Sequence, residues 1–98
     1  MLEKNEILSK LKQLKPTYEK EGLILIGLFG SYAKSNNTKY SDIDILYDTK
    51  QGITNLYDKK QFIKKSLEKI FNTKIDLASK KYLKPYVKEE IMKDLIYV

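Results

Sequence analysis

The sequence contains no cysteine and no histidine. The first absence excludes disulfides, thiolate metal sites and a cysteine nucleophile. The second removes a Ser-His-Asp triad, imidazole zinc ligands and the commonest general base. Any bound metal would have to rest on oxygen ligands, which favours Mg²⁺, Mn²⁺ or Ca²⁺. No apolar run approaches the roughly 20 residues that a membrane-spanning helix needs. The opening "MLEKNEILSKLKQL" is charged and lacks the apolar core of a signal peptide. A soluble, cytoplasmic protein with no membrane partner is the expectation.

The 98 residues fit one domain spanning 1–98, with a modest core. Hydrophobic residues make up 42% and charged residues 33%, a globular rather than a disordered balance. The net charge of +6 suits an anionic partner, nucleotide or nucleic acid. Its lysines are scattered, as at Lys59-Lys60, Lys64-Lys65 and Lys80-Lys81, which equally describes a solvated surface. No nucleic-acid motif accompanies them, so direct nucleic-acid binding is not expected.

Helical spacing of Ile7, Leu8, Leu11, Leu14 and Tyr18 predicts an amphipathic helix over residues 2–20, with Pro16 marking a frayed end or kink. Gly22 breaks that pattern. "LILIGLF", residues 23–29, then reads as a strand buried on both faces. "SYAKS" predicts one or two helical turns, and "NNTKY" is loop chemistry. "SDIDILYD" alternates as a second strand. Residues 53–71 carry the clearest helical stripe, from Ile53 through Leu56, Tyr57, Ile63, Leu67 and Ile70 to Phe71. "KIDLA", residues 74–78, predicts a third strand. Pro85 opens a last helix from the N1 position, with Leu83, Val87, Ile91 and Leu95 on one side. The order implies an α/β (α+β) fold, a small mixed sheet of about three strands flanked by helices.

Aspartate is a poor strand former, yet the second strand carries Asp42 and Asp44. Residues two apart project from the same face of a strand, so Ile43, Ile45 and Tyr47 would point oppositely, into the core. Two carboxylates side by side repel and raise each other's pKa unless a cation lies between them. The pair suits a divalent metal; an Asp-rich solvent edge is the plainer alternative. Asp76 alternates between Ile75 and Leu77. If its strand pairs with the second, it reaches the same face, and three carboxylates from two strands suit two-metal phosphoryl transfer. By itself, Asp76 is also an ordinary outward polar residue. Gly30-Ser31 ends the first strand and opens the short helix. That combination can cradle phosphate, although Gly-Ser is more often simply a turn.

The spacing Gly30-Ser31, ten residues, Asp42, one residue, Asp44 resembles the signature of polymerase-β-like nucleotidyltransferases. In particular the chain resembles the minimal nucleotidyltransferases, the MNT antitoxins paired with HEPN toxins. The resemblance covers nearly the whole chain, including Asp76 in "KIDLA" and the closing "LKPYVKEEIMKDLIYV". It implies that Gly30 and Ser31 hold the β- and γ-phosphates of ATP. It implies that Asp42 and Asp44 hold the bridging Mg²⁺ ions, two in number. Asp76 would bind the second metal and help activate the acceptor hydroxyl.

The resemblance further implies transfer of AMP to a hydroxyl, a tyrosine by expectation, on a partner HEPN ribonuclease toxin. With no further domain in these residues, a partner or a second subunit, a homodimer included, would complete the acceptor site. A non-catalytic antitoxin that neutralises the toxin by binding alone is the alternative. The chain departs from the family's Gly-Ser-x-Ala-Arg-Gly wording at Lys34 and Ser35. Lys34 keeps the charge of arginine without its bidentate fork, and is either a phosphate contact or an exposed lysine. Ser35 replaces a glycine, which leaves the loop less free to take positive φ.

Overall fold

The structure, a computed structural model, describes residues 2–98; Met1 of the expected 1–98 domain lies outside the described residues. Helix α1, Lys4–Lys20, supplies Ile7, Leu11 and Tyr18 to the core. It begins two residues later than its apolar spacing suggests. Pro16 neither ends nor frays it: the helix continues to Lys20. Pro16 is exposed, so the carbonyl that the proline leaves without an amide donor can face water.

Strand β1, Leu23–Phe29, follows. Helix α2 is the short Gly30–Lys34, and strand β2 is Ile43–Thr49. Helix α3, Leu56–Phe71, buries Ile63, Leu67 and Phe71. It begins after Ile53, because Asn55 at its start holds a left-handed backbone (φ 54°). Strand β3, Ile75–Ser79, leads through a short 3-10 turn, Lys80–Tyr82, into helix α4, Pro85–Asp94. Proline opens α4, and Ile91 is its buried residue.

The sheet has four strands rather than the expected three, in the order β3-β2-β1-β4, because the chain returns as a two-residue strand β4, Ile96–Tyr97. Two residues carry no readable alternation, so periodicity misses them. The room for β4 comes from Gly27, opposite Tyr97 in the ladder. A Cβ at Gly27 would collide with the Ile96 carbonyl oxygen and press on Leu95. β1 also bulges here: its register with β2 slips between Leu25 and Gly27, and the Ile26 carbonyl accepts the Val98 N–H at 3.0 Å. β1 therefore alternates in burial, with Ile24 and Ile26 only half-buried, instead of being covered on both faces.

β1 runs antiparallel to both β2 and β4, whereas β2 and β3 run parallel with α3 as their crossover. One cluster joins Ile7 and Leu11 of α1, Leu25 and Leu28 of β1, Ile43 and Ile45 of β2, Ile63 and Leu67 of α3, and Ile75 and Leu77 of β3. α1 packs on β1, α3 on β3, and α4 against α2 and β1. The odd positions of β2 thus face the main core. Asp44 faces the other way.

Candidate active site

β1 delivers the chain in extended form to Phe29 (φ −135°), and Gly30 then turns at φ +76°. That positive φ is costly for any residue with a Cβ. The space is closed as well, because a Cβ on Gly30 would collide with the Asp44 carboxylate. Glycine at position 30 is what lets the turn and the acid share one spot.

The ladders bring the acids into line. Phe29 pairs with Asp44 across β1 and β2, and Asp44 pairs with Asp76 across β2 and β3. The turn, Asp44 and Asp76 form a row across three adjacent strands. Asp42 lies one residue ahead of β2 and is exposed, so it flanks the row from a loop. The Ile43 N–H donates to the Lys74 carbonyl at 2.9 Å, which ties this entry of β2 to the residue before β3.

Burial pushes the Asp44 carboxyl up from 3.8 to about 6, and the charges of Asp76 and then Asp42 add to it. A folded-state pKa raised in an acid means the ionised form destabilises the fold. This cost is absent below pH 3.8, and it grows in full as the pH passes about 6. Asp44→Asn should therefore be more stable than the parent at pH 7.5, with the advantage fading as the pH falls from about 6 towards 3.8. Chemical denaturation across that range measures it, and an advantage independent of pH would contradict the assigned cause.

The same strain tests whether a cation fits. The donors are all carboxylate oxygens, the ligands that Mg²⁺ prefers, and a cation would relieve the repulsion at Asp44. Among the described residues no three acids close on one point as a ready metal cage. Mg²⁺ is usually held by one or two carboxylates plus substrate phosphates and water, so an open row suits it.

The connection from α2 to β2 is folded on itself. The Thr38 N–H donates to the Ser41 hydroxyl oxygen at 2.9 Å, and the Ser41 N–H returns to the Thr38 carbonyl at 3.0 Å. Ser35 holds the left-handed conformation (φ 61°, ψ 29°) that its place demands, and the Asn36 N–H closes onto the Ser31 carbonyl at 3.0 Å. Serine there bears a strain that glycine would not. Ser35→Gly should raise stability by about 0.5–1 kcal/mol, read as a higher denaturant midpoint; a lower midpoint would contradict the strain.

Lys34 lies one helical turn beyond Gly30 and Ser31, and its Nζ stands 3.4 Å from Asp94 Oδ2 at the end of α4. Asp94 has no local signal in the sequence, because a single acid at a helix end carries no periodicity. Lys34 thus has a carboxylate partner near the turn, and a phosphate would compete with Asp94 for it.

A nucleotidyltransferase domain model matches residues 4–98. A protein of Methanocaldococcus jannaschii named for protein adenylyltransferase activity is 42% identical over 95 residues, covering 95% of this chain and 92% of that protein. The protein adenylyltransferase MntA of Thermococcus cleftensis is 33% identical over 82 residues, covering 82% and 79%. A solved minimal nucleotidyltransferase shares the fold with a TM-score of 0.82 at 21% identity, over 99% of this chain and 97% of that one. A solved MNT antitoxin in complex with a tri-AMPylated HEPN toxin of Shewanella oneidensis matches at a TM-score of 0.58 and 21% identity, over 96% and 66%.

Proposed function

This chain belongs to the nucleotidyltransferase domain family, and from that premise we propose that it transfers AMP from ATP to a hydroxyl of a HEPN-family toxin, with Mg²⁺, and so neutralises it. The observation that carries this reading is the row formed by Gly30, Asp44 and Asp76. The names of the relatives supply the class of acceptor, a protein.

In this reading the Gly30-Ser31 turn binds the β- and γ-phosphates, and Lys34 exchanges Asp94 for a phosphate oxygen. Asp42, Asp44 and Asp76 would hold Mg²⁺, two ions in number, which supplies charge neutralisation on the phosphates. The acceptor oxygen forms a bond to the α-phosphorus. The bond from that phosphorus to the bridging oxygen breaks, and pyrophosphate leaves with the electron pair. Asp76, exposed beside Asp44, helps activate the acceptor hydroxyl, a tyrosine by preference, by taking its proton as the new bond forms. The work is positioning and electrostatics, which needs no histidine.

The test is incubation with labelled ATP, Mg²⁺ and a HEPN toxin encoded beside this protein. Intact mass should show the toxin heavier by whole AMP units and its ribonuclease activity lost. Neutralisation without any mass change would overturn the transferase reading and leave an antitoxin that acts by binding.

A further inference from the structure

A pocket of about 370 Å³ opens beside Asp42, between residues 39–42 of the loop and residues 72–74 of the turn before β3. The site described above uses only Asp42 from it. Its walls carry two lysines, Lys39 and Lys74, an aromatic ring at Tyr40, and the polar side chains of Asn72 and Thr73. Lys39, Tyr40 and Lys74 are all exposed, and Tyr40 has 82% of its surface open to solvent. Lys39 Nζ lies 5.1 Å from the centre of the Tyr40 ring. The backbone N–H of Tyr40 donates to Thr38 Oγ1 at 3.2 Å.

Position gives the pocket its meaning. In-line displacement at phosphorus places the entering and leaving oxygens on opposite sides. The phosphates that leave belong at Gly30-Ser31, at the end of β1. The entering hydroxyl must therefore come from the β3 side of the row, past Asp44 and Asp76. The pocket lies on that side, because residues 72–74 run directly into Ile75 and Asp76 of β3. Lys39 and Lys74 in its wall attract an anion, and the whole chain at +6 adds to that field.

We propose that this pocket is the docking subsite for the acceptor protein, with Lys39 and Lys74 pairing an acidic side chain close to the hydroxyl that receives AMP. Tyr40 covers the docked segment, adding apolar contact beside the charges. The inference rests on the transferase reading and names the kind of acceptor sequence it takes: a hydroxyl next to an acidic residue.

The experiment compares the parent with Lys39→Ser/Lys74→Ser in steady-state transfer to the neighbouring HEPN toxin at saturating Mg²⁺. The KM for the toxin should rise about tenfold, the worth of two exposed ion pairs, while the KM for ATP stays where it was. The parent's KM for the toxin should also rise with added NaCl, and the variant's much less. An unchanged KM for the toxin overturns the inference, and so does a rise in the KM for ATP alone. Absence of transfer by the parent protein would be a different failure: it overturns the transferase reading, and this inference with it.

Discussion

Asp42→Asn/Asp44→Asn should abolish AMP transfer, by a thousandfold or more, and leave the fold intact. The size follows from what the acids do. Each tenfold in rate corresponds to 1.36 kcal/mol of barrier, and charge stabilisation at a phosphoryl centre is worth several kcal/mol. In the proposed mechanism, loss of the carboxylates would leave the phosphates their turn at Gly30-Ser31 but remove the cations that neutralise them. The fold should survive because neither residue belongs to the core: Asp42 is exposed, and Asp44 is half-buried at an energetic cost. Two readouts separate the outcomes. Labelled AMP on the toxin should vanish, and thermal melting at pH 7.5 should stay at or above the parent's. Mg²⁺ should raise the melting temperature of the parent and not of the variant. Residual transfer within tenfold of the parent would remove these acids from the chemistry.

Gly30→Ala should damage both stability and activity. Alanine at φ +76° bears about 1–2 kcal/mol of backbone strain. Its methyl group also takes the space of the Asp44 carboxylate. Relief requires the carboxylate to swing away or the turn to open, and either change pulls the proposed phosphate turn apart from the acid. We expect a loss of about 1–3 kcal/mol in chemical denaturation and a fall in transfer of about a hundredfold, since misplacement by 1 Å can cost that much. Gly52→Ala is the matched control. It has a similar positive φ of 74° but open space around it, so it should show the strain without the loss of activity. Equal damage to transfer at both positions would deny Gly30 its special role.

The parts of this fold that were legible in the sequence are those written in local spacing. Alternation in "SDIDILYD" and "KIDLA" turns Ile43, Ile45, Ile75 and Leu77 inward, as they are in the structure. It also sets Asp44 and Asp76 outward, and the parallel ladder then pairs them. The ordered motif set the Gly30-Ser31 turn at the end of the first strand and ahead of the acid-bearing one, where the structure has it. What escaped is non-local. β4 has two residues and depends on the missing side chain of Gly27, so its trace in the sequence is a glycine inside an apolar strand. The Lys34–Asp94 pair joins the second helix to the last, and no window of sequence contains both. Pro16 shows a local rule overruled: the apolar contacts of Ile7, Leu11 and Tyr18 hold α1 together across a proline.

The ladder between Asp44 and Asp76 has one more consequence. Adjacent strands lie about 4.8 Å apart wherever backbone hydrogen bonds join them, so the sheet acts as a ruler between the two carboxylates. Their interval is a property of the backbone and hardly depends on how tightly the hydrophobic layer beneath is filled. Where the pair holds Mg²⁺ as proposed, a destabilised protein should keep that affinity nearly unchanged until those few hydrogen bonds open. Amide exchange at Asp44 and Asp76, more than the melting temperature, should then track metal affinity across a series of core variants.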